Sequence, residues 1–171
     1  VMFGGVPTWI IVLFRLILEK TGKSNMLEVW PHLQAYMHGG VGFEPYRQTF
    51  KDLIPSDDFA YQEIYNASEG YFGAQCDLRQ QDMLLFMDNG VFYEFVPMEE
   101  WEKEHPKVVQ LPDVELGKDY AIMISSNNGL WRYQPGDTIS FTRRYPHCFQ
   151  ISGRTKQFIN AFGEEVMVGD T

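Results

Sequence analysis

The hydrophobic pattern of the first half of the chain predicts helices mixed with short strands. Residues 8–20 are apolar on nearly every side and therefore predict a well-buried helix. Residues 45–53 carry apolar side chains at helical spacing, with Pro45 suited to the first turn. Between these segments, residues 25–30 predict a short helix and residues 33–37 predict a short strand.

From residue 60 onward the pattern changes to short apolar runs separated by turns. Residues 60–65 predict a strand, and the turn Asp88-Asn89-Gly90 between the apolar runs 83–87 and 91–96 predicts a β-hairpin. Four more strands are predicted at residues 120–125, 129–133, 138–142 and 148–152. The predicted fold class is therefore α/β (an α+β fragment), with helices and a mixed sheet followed by antiparallel strands.

The composition favours a folded, acidic protein. The chain has 171 residues, of which 44% are hydrophobic and 15% aromatic, which argues for a packed core and against disorder. Its formal net charge of -9 opposes a broad nucleic-acid or anionic-membrane surface, because polyanion binding needs clustered Lys and Arg. The apolar run that ends at Phe14 is shorter than the ~20 residues a membrane span needs. We expect neither nucleic acid nor membrane as a partner.

The cysteines and histidines do not form a metal-binding or disulfide pattern. Cys76 and Cys148 lie far apart and outside any CxxC motif, so a reducing compartment, the cytoplasm, fits best. No two histidines have the i, i+4 spacing that places two ligands on one helical face, so we predict no histidine metal site.

Glu69 is the first candidate for chemistry, because it follows a predicted strand at the start of a loop. A carboxylate there suits Mg²⁺, which prefers hard oxygen ligands and is commonly bound by one or two carboxylates plus substrate phosphates. The alternative is that Ser68-Glu69-Gly70 forms only a polar turn.

Asp137 is the second candidate, because it follows the turn-forming pair Pro135-Gly136. A carboxylate at the mouth of a sheet can accept hydrogen bonds from two vicinal ribose hydroxyls. Pro-Gly-Asp is also an ordinary hairpin turn. Arg154 either neutralises phosphate charge with its guanidinium or pairs with Glu164 or Glu165.

Taken together, these segments resemble the adenylate-forming enzyme superfamily. Residues 65–69, Tyr-Asn-Ala-Ser-Glu, are similar to its tyrosine-to-glutamate motif, and residues 70–73, Gly-Tyr-Phe-Gly, are similar to the version in the auxin-responsive acyl-acid-amido synthetases. Residues 129–137, Gly-Leu-Trp-Arg-Tyr-Gln-Pro-Gly-Asp, resemble that family's second motif, which ends in a ribose-binding aspartate. Residues 153–160 and 163–166 resemble the hinge between the large and small domains.

The order and spacing of these motifs agree over nearly the whole chain. The resemblance therefore implies the second half of a large N-terminal adenylation domain, in residues 1–152. Residues 153–171 would be the hinge and the start of a small C-terminal domain. Since the chain starts at Val1 inside an apolar segment, we expect it to be a piece of a longer protein and to be inactive alone.

The resemblance also implies a two-step ligase reaction that uses ATP and Mg²⁺. A small carboxylic acid attacks the α-phosphate of ATP, which gives an acyl-adenylate and pyrophosphate. An amine, usually that of an amino acid, then displaces AMP to form an amide.

Site residues are carried over by matching the motifs. The resemblance implies that Glu69 contacts magnesium and phosphate, that Asp137 binds the ribose and that Arg154 contacts the nucleotide near the hinge, with Glu69 and Arg154 as the catalytic candidates. The other implied nucleotide-binding residues are Gly39, Gly40, Tyr65, Ala67, Ser68 and Tyr133. The predicted hairpin strands would line the acyl pocket, although any core strand has the same apolar residue types: Phe86, Met87, Val91 and Phe92.

Two alternative functions stay open at this stage. One is a ligase that transfers the acyl group to a thiol such as coenzyme A, and the other is a non-catalytic nucleotide-binding or scaffold domain. No Ser/Thr/Gly-rich phosphate loop precedes the first helix, and the hinge has Lys156, Gln157 and Asn160 where relatives commonly carry two acidic residues and a lysine. The identities of the acid and the amine and the oligomeric state are open.

Overall fold

The computed structural model describes residues 1–156, 158–161 and 164–167. The chain divides into two compact units, residues 1–83 and residues 84–171, and each unit is treated by itself. Gln157 and Gly163 of the predicted hinge motif lie outside the described residues. The predicted domain division after residue 152 stays a prediction.

The first unit is built from βαβ connections. Strands β1, β2 and β3 are paired in parallel, in the order β1-β2-β3, and β4 is antiparallel to β3. Parallel neighbours need a crossover, which α1 and α2 supply between β1 and β2 and which α3 supplies between β2 and β3. The bounds are β1 Met2–Gly5, α1 Pro7–Thr21, α2 Met26–Val29, β2 Ala35–His38, α3 Arg47–Leu53, β3 Ala60–Ala67 and β4 Gly70–Ala74, with a turn of 3₁₀ helix at Glu44–Tyr46.

The predicted helices and strands of this unit are confirmed, and their ends follow from local chemistry. Helix α1 starts with Pro7 at its first position and ends at Gly22, whose φ of 64° is left-handed. The side chain of Asn25 caps α2 by accepting hydrogen bonds from the backbone N–H groups of Leu27 and Glu28. Strands β1 and β4 were not predicted.

The prediction that α1 is well buried is wrong. Only one stripe of the helix, Pro7, Ile11 and Phe14, is buried. The opposite side exposes four large apolar side chains, with Trp9 63% exposed: Trp9, Val12, Leu13 and Leu16. An all-round apolar sequence indicates burial on all sides only if neighbours cover every face, and within the described residues this helix is covered on one face.

Aromatic rings fill the core of the first unit. The rings of Tyr36 and Phe50 are stacked at 4.7 Å, and Phe14 meets Phe50 edge-on at 6.4 Å. These buried rings lie between the strands and the helices, and such pairs add stabilisation beyond the apolar area they bury. The core therefore fixes α3, and the loop before it, on β2 and β3.

The second unit is an antiparallel sheet. Its strands are in the order β10-β9-β7-β6, and β8 pairs with the end of β7. The rings of Phe95, Tyr120 and Phe141 pack edge-to-face in its core. The bounds are β5 Met83–Leu85, where the division between the units falls, β6 Val91–Pro97, β7 Asp119–Ser126, β8 Leu130–Tyr133, β9 Asp137–Arg144, β10 His147–Arg154, β11 Phe158–Ala161 and β12 Glu164–Met167, with 3₁₀ turns at Met98–Glu100 and Leu111–Asp113.

The predicted hairpin around Asp88-Asn89-Gly90 is wrong. Gly90 has a left-handed φ of 78°, as the turn chemistry requires, but β6 is paired with β7 and is not adjacent to β5 in the sheet. The pairing of β6 with β7 is continuous from Val91 opposite Ser126 to Pro97 opposite Tyr120. The extended pairing with β7 therefore determines the position of β6, despite the turn-forming sequence before it. The four later strands are confirmed as β7 to β10, and so is the mixed α/β fold class with its antiparallel second part.

Candidate functional site

Glu69 lies in a tight hairpin turn between β3 and β4. Ala67 and Gly70 are the last cross-strand partners, so Ser68 and Glu69 form the two-residue turn. Ser68 and Ala67 are exposed, and Glu69 is partly exposed. The turn therefore presents Ser68 and Glu69 at the end of the two strands, where a carboxylate can bind a cation.

Tyr65 lies on β3, before this turn, and packs against β4. Its ring is buried, and its centroid lies 5.0 Å from that of Phe72 on β4. A β-bulge follows Tyr65, between it and Asn66. A side chain on Gly70 would place its Cβ 2.9 Å from the Phe72 ring, so this position suits glycine. Contact between Tyr65 and a nucleotide stays a prediction.

Gly39 and Gly40 begin a loop in which main chain approaches main chain. A Cβ on Gly39 would overlap the carbonyl oxygen of Ile64, the residue before Tyr65. Gly40 has a left-handed φ of 81°, and its Cβ position lies 3.4 Å from Val6. Both positions therefore require glycine, and they leave a surface without side chains beside the start of the tyrosine-to-glutamate motif.

The sequence analysis missed His38, which immediately precedes these glycines. The side chain is 3% exposed, and its ring is stacked on that of Phe43 at 4.0 Å. Burial, with a smaller contribution from the Arg47 charge, lowers the pKa of His38 to about 4. Its neighbour across the β2–β3 pair is Glu63, whose pKa burial raises. The sequence shows a histidine next to Gly-Gly, but it does not show that this histidine is buried.

Asp137 and Arg154 form an ion pair. Asp137 begins β9, Arg154 ends β10, and the two residues are cross-strand partners. Arg154 Nη1 lies 3.1 Å from Asp137 Oδ1, with the aspartate side chain 13% exposed and the arginine side chain 37% exposed. Asp137 is thus a partner of Arg154 that the sequence analysis did not consider, since it weighed Glu164 and Glu165.

The backbone around this pair is also fixed. Gly136 has a left-handed φ of 92°, and a Cβ there would lie 3.5 Å from Arg154 Nη2. The backbone N–H of Thr155 donates to the Gly136 carbonyl oxygen at 2.8 Å, and its hydroxyl donates to the same oxygen at 3.2 Å. The turn before Asp137 and the residue after Arg154 are therefore tied together.

Tyr133 lies at the end of β8, opposite Ile124, and is partly exposed. The preceding residue, Arg132, has a left-handed φ of 46°, which is uncommon outside glycine. Its Nε donates to Glu94 Oε2 at 3.0 Å, and its backbone N–H donates to Ser125 Oγ at 2.9 Å. The ion pair with Glu94 joins β8 to β6 across β7.

The predicted acyl-pocket residues separate into two groups. Val91 and Phe92 line an open cleft of about 510 Å³, in which Phe92 is 54% exposed and Trp131 is 82% exposed. The other lining residues are Gly90, Ser125, Ser126, Asn127 and Gly129. Phe86 and Met87 do not line this cleft.

The candidate residues are distributed over both units. Gly39, Gly40 and Tyr65 to Glu69 lie in the first unit, and Asp137 and Arg154 lie in the second. That Glu69 and Asp137 contact the same nucleotide, as the resemblance implies, stays a prediction. Within the described residues, no group of three or more His, Cys, Asp or Glu side chains is arranged for a metal ion. In the same part of the chain, no helix has the length and apolarity needed to span a bilayer.

Comparison with known proteins identifies the family. Residues 84–154 match the GH3 family central domain. The chain belongs to the GH3 family. That segment contains the Asp137–Arg154 pair, and Gly39, Gly40 and Glu69 lie before it in the sequence.

Curated GH3 proteins from plants are similar to this GH3 chain. The indole-3-acetic acid-amido synthetase GH3.3 of Arabidopsis thaliana is 36% identical over 135 residues, which cover 74% of this chain and 22% of that protein. The jasmonoyl-L-amino acid synthetase JAR4 of Nicotiana attenuata is 34% identical over 118 residues, covering 66% of this chain and 20% of that protein. The chain thus spans about a fifth of the length of the curated relatives it matches.

Solved structures show the same fold as this GH3 chain. The GH3.15 acyl acid amido synthetase has a TM-score of 0.64 at 20% identity, covering 90% of this chain and 28% of that one. A 2-hydroxyisobutyryl-CoA ligase, in complex with 2-HIB-AMP and CoA, has a TM-score of 0.68 at 14% identity, covering 98% of this chain and 35% of that one. The chain therefore shares its fold with part of each of these two proteins.

Proposed function

We propose that this GH3 chain contributes the nucleotide cleft of an ATP-dependent ligase. The ligase activates a small carboxylic acid as an acyl-adenylate and transfers the acyl group to the amine of an amino acid. The observation that carries the proposal is the GH3 match over residues 84–154, which contains the Asp137–Arg154 pair. The names of the similar plant proteins, which are amido synthetases, support the choice of an amine acceptor.

In the first step an oxygen of the acid attacks the α-phosphorus of ATP, and the bond from that phosphorus to the bridging oxygen of pyrophosphate breaks. In the second step the amine nitrogen attacks the acyl carbon, the bond from this carbon to the AMP oxygen breaks, and the nitrogen loses a proton. Binding energy and charge neutralisation are what a protein contributes to phosphoryl chemistry of this kind.

Asp137 would accept hydrogen bonds from the ribose hydroxyls. An ionised carboxylate has about four lone-pair sites on its two oxygens, so an ion pair from one oxygen to Arg154 is compatible with further bonds to a ribose. The arginine holds the carboxylate in one orientation. The tied turn at Gly136 and Thr155 limits backbone movement on both sides.

Glu69 would bind Mg²⁺ together with substrate phosphates, and Ser68 beside it would contact the nucleotide. A single, partly exposed carboxylate in a tight turn fits Mg²⁺, which takes few protein ligands when phosphates supply the others. When bound, the ion would neutralise phosphate charge. Gly39 and Gly40 would present bare backbone to the adenine ring, while Tyr65, Ala67 and Tyr133 would contact the rest of the nucleotide.

The acid would occupy the apolar side of the site. Val91 and Phe92 line a cleft whose aromatic side chains are exposed, which suits an apolar or aromatic acid. Phe86 and Met87 do not line that cleft, and their role in the acyl pocket stays a prediction.

The test is replacement of Asp137 by Ala in the whole protein, followed by AMP titration in a calorimeter. Loss of a charged hydrogen-bond acceptor is expected to weaken AMP binding by ~1.5–3 kcal/mol, on the order of tenfold to a hundredfold. Asp119→Ala is the matched control, because Asp119 is an exposed aspartate that begins another strand of the same sheet. Unchanged AMP affinity in Asp137→Ala would contradict the ribose role.

A second candidate is a ligase with a thiol acceptor. It is favoured by the fold similarity to the 2-hydroxyisobutyryl-CoA ligase, which covers nearly the whole of this chain. The adenylation step is common to both, so the acceptor decides. Adding amino acids or coenzyme A after acyl-adenylate formation separates the two, and absence of pyrophosphate release would favour a non-catalytic binding domain.

A further inference from the structure

We propose that His38 and Phe43 are positioning residues for the nucleotide: their stacked rings close the loop of residues 39–42 and hold Gly39 and Gly40 in place. We refer to residues 39–42 as the glycine loop and to the ring pair as the clasp. The inference rests on the proposed function, because it assumes that these glycines contact the adenine of ATP.

The clasp joins the two ends of the glycine loop. His38 is the last residue of β2, and Phe43 is the residue before the 3₁₀ turn that leads into α3. Their ring centroids are 4.0 Å apart and the ring planes are inclined by 16°, which is a stacked arrangement. Both rings are almost completely buried. The loop therefore leaves the sheet and returns to the same place.

The clasp is attached to elements that do not depend on the loop. The Phe43 ring also contacts Phe50 on α3 and Tyr61 on β3, with centroids at 5.5 and 5.2 Å. The Arg47 guanidinium lies 4.9 Å from the Phe43 centroid and is bound by Glu44, with Nη2 to Oε1 at 2.6 Å. The closing point of the loop is thus fixed to both the helix and the sheet.

The sequence of the glycine loop does little to restrict its own conformation. Three of its four residues are glycine, which loses more conformational freedom on folding than any other residue. A Cβ at Gly42 would meet nothing within 4 Å, so the outer part of the loop is not packed. The Gly39 backbone passes close to the Ile64 carbonyl oxygen, and the Gly40 backbone lies near Val6. The clasp adds a constraint at the two ends of the loop.

The imidazole of His38 contributes a ring and not a hydrogen bond from Nδ1. This buried atom has no hydrogen-bond partner within the described residues. An unsatisfied buried polar atom opposes folding, so a phenyl ring at this position should keep the stack without that cost. His38→Phe is therefore a conservative variant, and His38→Ser and Phe43→Leu each remove one ring.

The experiment compares these variants in the whole protein by AMP affinity and by the KM values for ATP and for the acid. His38→Ser and Phe43→Leu are expected to weaken AMP binding and raise the KM for ATP about tenfold, with the KM for the acid unchanged. His38→Phe is expected to rescue most of the loss. Phe59→Leu, which changes a buried ring of the same core away from the loop, is the control and should leave the KM for ATP unaltered.

The outcomes separate this inference from the proposed function. If wild type binds AMP, Asp137→Ala weakens it and His38→Ser and Phe43→Leu bind as wild type does, the clasp is overturned and the function stands. The clasp is also overturned if His38→Phe loses as much affinity as His38→Ser, or if the KM values for ATP and acid rise together. If wild type does not bind AMP, both proposals fail. If His38→Ser does not fold, the AMP affinities of Phe43→Leu and His38→Phe test the clasp instead.

Discussion

The glycine loop of the first unit and the Asp137–Arg154 pair of the second unit fix their candidate residues by different means. In the glycine loop, positions are set by shape: main chain packs on main chain at Gly39, and rings stack at its ends. In the second unit, positions are set by charge and strand register. At Gly39 close packing excludes any side chain, so a substitution there should cost much stability. A partly exposed ion pair loses only a modest interaction energy when one partner is replaced.

The largest expected effect on stability is that of Gly39→Ala. Its Cβ would overlap the Ile64 carbonyl oxygen, and this contact cannot be relieved by rotating a side chain. We expect a loss of roughly 3 kcal/mol in the free energy of unfolding, at the upper end of overpacking effects, measured by urea denaturation. Gly42→Ala is the control in the same loop, with open space around its Cβ, and should change stability by no more than about 0.5 kcal/mol. Equal losses at the two positions would contradict the shape argument.

The next largest effect is a pH dependence that comes from His38. Burial lowers the pKa of this histidine to about 4 in the folded state, below the unfolded value of 6.5. The unfolded state therefore binds more protons between pH 6.5 and pH 4, so stability should fall as the pH drops through this range and level off below it. From pH 7 to pH 5 the expected loss is about 2 kcal/mol.

His38→Phe isolates this contribution. Glu63 acts in the opposite direction, because burial raises the pKa of its carboxyl and protonation at low pH then favours the folded state. Subtracting the pH profile of His38→Phe from that of wild type removes the part due to Glu63. A difference that does not change between pH 7 and pH 5 would mean that His38 is not buried in solution.

The smallest effect is expected for the charge pair of the second unit. A double-mutant cycle with Asp137→Asn and Arg154→Gln should give a coupling energy of about 0.5–1 kcal/mol, because the arginine is partly exposed and solvent screens the pair. The coupling should shrink at high salt, whereas the cost of Gly39→Ala should not. A salt-independent coupling would contradict the comparison between charge and shape.

Local patterns predicted much of the fold, and they were wrong where distant partners decide. The helical spacing of residues 45–53 and the apolar pattern of residues 8–20 were sufficient to predict α3 and α1. Gly90 adopts a left-handed φ, but Asp88-Asn89-Gly90 does not form the predicted hairpin, because β6 pairs with β7. The same limit explains α1, whose apolar residues gave no information on how many faces are covered.

In the candidate site, too, the sequence indicated individual residues but not the contacts between residues that are distant in the chain. The motifs indicated Asp137 and Arg154 as separate residues, but their contact depends on the register of β9 against β10, which includes two irregularities. His38 was missed because a single histidine carries no sequence signal for burial. The role that we propose for it depends on its ring contact with Phe43, which only the three-dimensional structure shows.

The length of the β9–β10 hairpin determines which residue lies opposite Asp137. Asp137 stands at its open end and the turn at Tyr145-Pro146 closes the other, so every residue between them sets where Arg154 arrives. One residue gained or lost near that distant turn would rotate the guanidinium to the reverse side of the sheet, since side chains alternate along a strand. The ion pair of Asp137 with Arg154 therefore depends on the length of this hairpin as much as on the identity of its terminal residues.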